Sequence, residues 1–269
     1  MKKRLLALAT LLLTLIAVAG CARTKAADSW ARIEKDKTVV IGLDDTFVPM
    51  GFRNKDGSLS GYDIDLAKAV FKLYGIKPDF QTIEWSMKET ELKNQTIDLI
   101  WNGYSVTPER QKQVAFSADY LINHQILVTK TSEGVKKMAD MAGKTLGVQT
   151  GSSGAAALDG SPKLLKQYIK NQEPVLYDTF TDAFLDLNAG RIQGIFMDEV
   201  YARYYIAHQQ DPTAYQVLSG TFDSEDFAVG MRKSDTPLQA KINAGFKTLE
   251  ANGTLAKLNK KWFGKATVN

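Results

Sequence analysis

Short apolar segments that alternate with polar loops and helical patterns are the feature that most restricts the fold of this chain. Residues 38–43 are β-branched and apolar, which predicts a buried strand, and a polar loop follows at Asp44. The run 61–75 then carries apolar residues on one helical face and ends at Gly75. The same order recurs after three further segments, 97–101, 145–149 and 194–197. This alternation predicts an α/β fold with largely parallel sheets.

Composition and charge restrict the class of protein further. With 269 residues, of which 44% are hydrophobic and 24% charged, the chain has the balance of a globular protein of one large or two modest domains. The formal net charge is +4, but Lys2, Lys3 and Arg4 contribute three of these charges at the N-terminus. The remainder is nearly neutral and lacks the clustered basic charge that nucleic-acid binding needs, so we expect no nucleic-acid partner.

The N-terminus has the pattern of an export signal. Lys2, Lys3 and Arg4 precede the apolar run 5–19, which is too short for a comfortable membrane span but typical of a secretory signal. The following 18–21, Val-Ala-Gly-Cys, resembles a bacterial lipobox, which implies that Cys21 becomes the lipid-modified first residue. A plain signal peptide with a fortuitous cysteine is the alternative. We therefore predict a signal peptide over 1–20 and a lipidated tether over 21–36.

The lipid would anchor an exported protein to the outer face of the cytoplasmic membrane, which is the cell surface in a Gram-positive envelope. Cys21 is the single cysteine, and His124 and His208 are the two histidines. No cysteine and histidine spacing typical of zinc is present, so we expect neither a metal nor another cofactor.

Arg110 is the most informative residue in the polar segment after 97–101. Thr107 is a suitable N-cap and Pro108 a suitable first residue of a helix, which places Arg110 in the first turn. A helix N-terminus disfavours a cation unless an anion neutralises it. Two interpretations remain open: a solvated arginine that pairs with Glu109 or Glu91, or a bidentate clamp on a ligand carboxylate.

The segment 150–154, Thr-Gly-Ser-Ser-Gly, follows a predicted strand and precedes a helix. Free backbone N–H groups at such a helix start can form a second anion site, and a flexible connector is the alternative. The segment lacks the ending of a nucleotide P-loop, which argues against phosphate binding.

Asp198 and Glu199 directly follow the predicted strand 194–197. A carboxylate at a strand end suits a ligand ammonium group, although a helix cap by Asp198 is an equally reasonable interpretation. Neighbouring residues in sequence should point apart, which is a poor arrangement for a hydrolase with two catalytic carboxylates.

Phe47 and Trp85 are aromatic residues in loops or at strand ends, near the acids Asp44 and Glu84. The sequence alone leaves two interpretations for each of them, a core residue or a ligand contact. Face to face, they would hold a flat or cationic side chain with a cation–π attraction of roughly 0.5–2 kcal/mol.

Six segments, read in order, resemble the polar amino-acid-binding proteins of bacterial ABC importers, the family 3 solute-binding proteins that include lysine/arginine/ornithine and histidine binders. These segments are 44–52, 61–70, 97–110, 147–154, 190–201 and 253–263. The resemblance implies a type II periplasmic-binding-protein fold, with two α/β lobes, each a mainly parallel sheet flanked by helices, joined by two crossover strands. We place the crossovers at 127–130 and 224–228. Lobe 1 would comprise 37–128 and 226–264, lobe 2 would comprise 129–225, and 265–269 would be a tail.

The resemblance also implies three groups of ligand-binding residues. The α-carboxylate would be held by Arg110, Ser152 and Ser153. The α-ammonium group would be held by Asp198, the Ser105 hydroxyl and the Gly103 carbonyl. The side chain would lie between Phe47 and Trp85 with Asp44 at its tip. Trp85 stands where an aliphatic residue is common in the family.

The function implied is that of a lipid-anchored receptor for a polar, basic L-amino acid, with arginine first and cystine, histidine or glutamine as alternatives. Its partners would be the ligand and the permease and ATPase of an ABC importer, and we expect a monomer. An enzyme on the same scaffold is the competing hypothesis, because fold does not fix function. No nucleophile and base are paired in the sequence, so we predict that the chain is not an enzyme.

Overall fold

The structure, a computed structural model, describes residues 28–264. The predicted signal peptide, Cys21 and the tail 265–269 lie outside the described residues. Within the described part, no helix combines the length and apolar character needed to cross a membrane.

The described chain contains fourteen strands, nine α-helices and five short 3-10 helices. The strands are β1 Thr38–Leu43, β2 Thr46–Phe47, β3 Gly51–Arg53, β4 Leu59–Ser60, β5 Lys77–Thr82, β6 Leu99–Ile100, β7 Ala115–Phe116, β8 Leu121–Lys130, β9 Leu146–Gln149, β10 Val175–Tyr177, β11 Gly194–Asp198, β12 Tyr215–Leu218, β13 Ser224–Phe227 and β14 Gly230–Met231. The helices are α1 Ser29–Asp36, α2 Tyr62–Lys72, α3 Lys88–Lys93, α4 Pro108–Gln113, α5 Ser153–Gly160, α6 Phe180–Asn188, α7 Glu199–Ala207, α8 Thr236–Ala251 and α9 Thr254–Phe263.

Two sheets define two lobes, as the sequence predicts. Lobe 1 contains the order β5-β1-β6-β14-β7, in which β5, β1 and β6 are parallel. Lobe 2 contains β10-β9-β11-β8-β12, in which β10, β9 and β11 are parallel. The antiparallel strand is β14 in the lobe 1 sheet and β8 in the lobe 2 sheet. Each is the strand through which the chain joins that sheet after leaving the other lobe. The α/β class with parallel-rich sheets is confirmed, and a small antiparallel sheet, β2-β3-β4, adds to it.

The link between the lobes is a two-stranded antiparallel ribbon. Residues 121–124 of β8 pair with β13, whereas 125–129 pair with β11 and 127–130 with β12 inside the lobe 2 sheet. The first crossover therefore lies earlier than the predicted 127–130, and the lobe boundary lies before residue 125 and not after 128. The segment predicted as a crossover is instead part of the lobe 2 core, where Leu127 and Val128 are fully buried. The second crossover, predicted at 224–228, coincides with β13.

The predicted tether over 21–36 overlaps a folded helix. In α1, Trp30 and Ile33 are buried, and the Trp30 ring meets Tyr74 edge to face with 5.3 Å between centroids. The backbone N–H and the hydroxyl of Ser29 donate to Asp235 Oδ1 at 3.1 and 2.9 Å. The folded body therefore includes 29–36, and only residues before Ser29 remain available as a tether.

Helix α9 returns to lobe 1 and covers α2. The Tyr62 hydroxyl donates to Asn259 Oδ1 at 2.8 Å, and the Tyr62 and Phe263 rings lie 4.9 Å apart. This packing fixes the start of α2, where the buried Asp63 contacts the loop after β6.

Candidate ligand-binding site

A narrow cavity lies between the two lobes, at the carboxyl ends of their parallel strands. This is the position at which ligands collect in open α/β sheets. All nine residues predicted from sequence line this cavity, together with two others: Asp44, Phe47, Trp85, Asn102, Gly103, Ser105, Arg110, Gln149, Ser152, Ser153 and Asp198.

Arg110 is placed in the cavity by a short helix whose start the sequence predicts. Thr107 caps α4, because its Oγ1 accepts a hydrogen bond from the Arg110 backbone N–H at 3.2 Å. The guanidinium is buried, and it donates to the carbonyl oxygens of Ser105 at 2.9 Å and of Gly151, in lobe 2, at 3.3 Å. These bonds hold the planar group at the lobe interface.

The surroundings of Arg110 exclude the solvated interpretation. Its guanidinium carbon lies 4.5 Å from the centre of the Tyr104 ring, and its Nε lies 3.8 Å from Glu89 Oε1. The Tyr104 hydroxyl donates to the same Glu89 oxygen at 2.8 Å. The nearby acid is thus Glu89, and not Glu109 or Glu91 as the solvated alternative proposes.

Asp198 precedes α7 but does not cap it with its side chain. Its Oδ1 instead accepts hydrogen bonds from Asn123 Nδ2 at 2.7 Å and Gln125 Nε2 at 2.8 Å. Burial raises the pKa of Asp198 to about 7, and the nearby Glu225 carboxylate adds to this shift. The structure therefore excludes the helix-cap interpretation and leaves a buried carboxylate on the cavity wall.

The two serines after β9 have different surroundings. Ser152 is the N-cap of α5, and its Oγ accepts from the Ala155 backbone N–H at 3.0 Å. Ser153 Oγ lies 3.0 Å from Ser105 Oγ across the lobe interface and donates to Glu225 Oε2 at 2.8 Å. The Ser153 hydroxyl therefore lies on the Asp198 side of the cavity, because Gln125 Nε2 contacts both residues.

Gly103 adopts a left-handed conformation with φ of +58°. A Cβ atom here would lie 2.8 Å from Phe47 Cε1, so the close approach as well as the backbone requires glycine. The Gly103 N–H donates to Asp63 Oδ2 at 2.7 Å, and the Tyr120 hydroxyl donates to the same oxygen at 3.0 Å. Burial raises the pKa of Asp63 to about 7.

Asp44 is held by partners from both lobes. Its Oδ1 accepts from the Thr46 backbone N–H at 2.9 Å and hydroxyl at 2.7 Å, and its Oδ2 accepts from Gln149 Nε2 of lobe 2 at 2.8 Å. Burial raises the pKa of this carboxyl above its ordinary value. A cation beside Asp44 would offset this burial.

Phe47 and Trp85 are both core residues and cavity walls, so neither of the two interpretations from sequence excludes the other. The Phe47 ring packs against Phe180 and Tyr201 of lobe 2, at centroid distances of 6.0 and 5.5 Å. Trp85 meets Tyr104 edge to face at 6.0 Å.

A sequence model of the bacterial extracellular solute-binding proteins, family 3, matches residues 39–265. The chain is a member of this family. The family and its solved neighbours are extracytoplasmic solute-binding proteins of ABC importers and not enzymes, which confirms the prediction that this solute-binding protein is not an enzyme.

Three relatives illustrate the range of family ligands. An ABC uptake transporter substrate-binding protein from Streptococcus pneumoniae, solved with bound histidine, is 48% identical and has a TM-score of 0.89, covering 91% of this chain and 100% of that one. The L-cystine-binding protein TcyJ of Escherichia coli K12 is 29% identical over 87% of this chain and 85% of its own length. The arginine-binding extracellular protein ArtP of Bacillus subtilis is 29% identical over 98% of both chains.

Several residues that shape the cavity were missed in the sequence. Gln149 and Asn102 end or follow buried strands, a signal that was available. Asp63 has the pattern of an ordinary acid in a first helical turn, and Lys88 that of a solvated helical lysine, although both side chains are buried. Within residues 28–264, no group of three or more metal-binding side chains is found.

Proposed function

We propose that this protein binds a basic L-amino acid, arginine in the first place, in the interlobe cavity and delivers it to the permease and ATPase of an ABC importer. The observation that carries this proposal is the buried carboxylate of Asp44, which lines the same cavity as Arg110 and Asp198. A ligand with a carboxylate, an ammonium group and a second cation matches these three charges.

The two poles of the amino-acid backbone match residues of different lobes. Arg110 of lobe 1 is assigned to the α-carboxylate, aided by the serine segment at the start of α5, where the first N–H groups have no partner within the helix. Asp198 of lobe 2 is assigned to the α-ammonium group, with the Ser105 hydroxyl and the Gly103 carbonyl. A zwitterion is costly to desolvate, and each charge-assisted hydrogen bond returns roughly 1.5–3 kcal/mol.

The division between lobes explains how binding produces closure. A ligand that touches both lobes has more contacts in the closed arrangement than in the open one, and this difference shifts the population toward closure. The importer then recognises the closed form.

The side chain of the ligand is assigned to the Asp44 end of the cavity. Asp44 would pair with a guanidinium or imidazolium group, and Gln149, already bonded to Asp44, supplies an amide for further hydrogen bonds. Phe47 and Trp85 supply aromatic surface beside a cation.

Histidine is the second candidate, because the Streptococcus pneumoniae relative is solved with histidine bound. Cystine and glutamine remain alternatives, since a cavity of this lining can bind them with hydrogen bonds in place of charge.

We also propose that Cys21 carries a lipid anchor at the outer face of the membrane and that the protein acts as a monomer. The anchor is supported by the charged start, the apolar run and the residues 18–21. Mass spectrometry of the mature N-terminal peptide tests it: a diacylglycerol on Cys21 supports the anchor, and an unmodified N-terminus contradicts it.

The test of specificity is a titration of Asp44→Asn by isothermal calorimetry with L-arginine, L-histidine and L-glutamine. Loss of a buried ion pair should weaken arginine binding by about 30-fold or more and glutamine binding by less than about 3-fold. Asp45→Asn is the matched control, because the neighbouring Asp45 pairs with Arg53 at 2.5 Å and does not line the cavity. Equal losses for arginine and glutamine would contradict the assignment of Asp44 to a cation.

A further inference from the structure

Lys88, the first residue of α3, has a buried ammonium group next to the cavity but not among the residues that line it. The residue is 2% exposed. Its Nζ donates to the Trp85 carbonyl of its own lobe at 3.0 Å and to the Gly151 carbonyl of lobe 2 at 2.9 Å. A lysine is rarely buried unless its charge is paired with other groups. The two carbonyl groups that accept hydrogen bonds from Nζ therefore point to a specific role for this residue.

The Gly151 carbonyl oxygen accepts hydrogen bonds from cationic side chains on two helices of lobe 1, α3 and α4. Arg110 Nη2 donates to it at 3.3 Å, in addition to Lys88 Nζ. Gly151 has a φ of +71°, and a Cβ atom there would lie 3.0 Å from the Ser86 Cα. The loop after β9 therefore approaches the Trp85–Met87 turn so closely that the two lobes touch by backbone.

The partners of Lys88 depend on how the lobes are arranged. Trp85 O lies on the same lobe and stays in place when the lobes separate, whereas Gly151 O moves away with lobe 2. Burial and the charge of Arg110 lower the pKa of Lys88 to about 8, and Glu89, 3.4 Å from Nζ, partly opposes this. The ammonium group is thus costly to bury, and the Gly151 carbonyl offsets part of that cost only in the closed arrangement.

We propose that Lys88 is a positioning residue that latches the two lobes together by its hydrogen bond to Gly151, and so slows ligand release without touching the ligand. The latch holds the loop before Ser152 and Ser153 against lobe 1. It also keeps Gly151 O beside Arg110, which fixes the guanidinium at the lobe interface. The inference rests on the proposed binding of an amino acid between the lobes, but its second readout does not depend on which amino acid binds.

The first readout is stopped-flow kinetics with L-arginine and L-histidine for Lys88→Met. Loss of the interlobe hydrogen bond should raise the dissociation rate constant by about 5- to 30-fold and change the association rate constant by less than about 2-fold. Lys93→Met is the control, because Lys93 ends the same helix and is exposed. A rise in the dissociation rate of the control equal to that of Lys88→Met would overturn the proposal.

The second readout is hydrogen exchange of the protein saturated with whichever amino acid it binds most tightly, because the hydrogen bond from Lys88 to Gly151 forms only when the lobes are closed. Lys88→Met should speed amide exchange in 150–153 by about 5-fold or more, while exchange in β1 and β9 and the melting temperature stay as in the unmutated chain. A lower melting temperature with unchanged exchange in 150–153 would show a structural role within lobe 1 and overturn the latch. Because this measurement works with any amino acid that closes the lobes, it separates failure of the latch from failure of the proposed specificity.

A second variant protects the test against misfolding. Lys88→Gln keeps one N–H donor on a shorter, neutral side chain, so it should release ligand at a rate between those of the unmutated chain and Lys88→Met. A dissociation rate for Lys88→Gln equal to that of the unmutated chain, together with unchanged exchange in 150–153, would contradict a role for the ammonium group.

Discussion

Single buried side chains explain most of the chemistry of the cavity. Asp198, Asp63 and Lys88 are each taken out of water, and each is bonded to groups that reduce the cost of its burial. Asp198 differs from Asp63 in one respect: Asp198 lines the cavity, whereas both bonds to Asp63 Oδ2 come from the protein's own Gly103 and Tyr120. The first group is therefore available to a ligand, and the second fixes the backbone of the loop that contains Gly103.

The raised pKa of Asp198 predicts that ligand affinity falls in acid. A ligand ammonium group favours the ionised carboxylate, so binding releases the proton that Asp198 holds below about pH 7. The dissociation constant for L-arginine, whose side chain stays charged, should rise by up to about tenfold per pH unit below pH 7. Calorimetry from pH 5 to 8 measures this dependence.

Glu225→Gln is the matched variant for this measurement, because the Glu225 carboxylate raises the pKa of Asp198. We expect the fall in affinity to begin at a lower pH in this variant. An affinity that is constant from pH 5 to 8 in the unmutated chain would exclude Asp198 as the ammonium partner.

At the scale of elements, the site depends on loops that leave the ends of buried strands. The loop after β6 contains Gly103, whose left-handed backbone places it between the rings of Phe47 and Phe227. A Cβ atom added at Gly103 would lie 3.0 Å from the Phe227 ring. A strand end and one glycine thus place the carbonyl assigned to the ammonium group.

Gly103→Ala should therefore destabilise the protein by more than backbone strain alone. The left-handed backbone costs a non-glycine residue roughly 1–2 kcal/mol, and contact with two buried rings adds overpacking of about 1–3 kcal/mol. Gly57→Ala is the control, because Gly57 has a φ of +81° but no atom within 4 Å of a Cβ there. Urea unfolding measures the free energy of unfolding of both variants. Equal losses of this free energy would show that the Phe47 and Phe227 rings move aside without an energetic cost.

The sequence predicted these elements unevenly. The capped start of α4 was readable because Thr107, Pro108 and the dipole argument concern local structure. The alternatives for Asp198 were not separable, since its partners Asn123 and Gln125 lie on β8, more than 70 residues away. The crossover was misplaced for a related reason: a strand that continues from the ribbon into the sheet shows no break in its sequence.

At the scale of the whole molecule, the lobes meet through hydrogen bonds as well as rings. Gln149 donates to Asp44, and the Ser105 and Ser153 hydroxyls lie 3.0 Å apart, each contact crossing the interface. Asp198 is buried on the cavity wall between the lobes and Asp63 inside lobe 1, so the pH dependence of stability reports on the burial of both carboxyls.

Ligand-free protein should be less stable at pH 8 than at pH 5. Asp63 and Asp198 have a folded pKa of about 7, well above the ordinary value near 4. Between these values the folded state holds protons that the unfolded state has released, so stability is greatest below about pH 4 to 5 for these groups and falls as the pH rises through 7. From pH 5 to 7 each of the two carboxyls loses about two units of this shift at roughly 1.4 kcal/mol per unit, so the expected loss is on the order of 5 kcal/mol.

Urea unfolding at pH 5, 6.5 and 8 measures this loss, and Asp63→Asn should make the profile flatter, because one of the two titrating carboxyls is then absent. Saturating L-arginine should flatten it as well, since its ammonium group stabilises the ionised Asp198 and opposes the cost of burying that charge. The lowered pKa of Lys88, about 8, acts in the opposite direction but above this range, which is why the series stops at pH 8. A free energy of unfolding that rises from pH 5 to 8 would mean that neither carboxyl has a raised pKa in the folded protein, which would contradict the burial of both side chains.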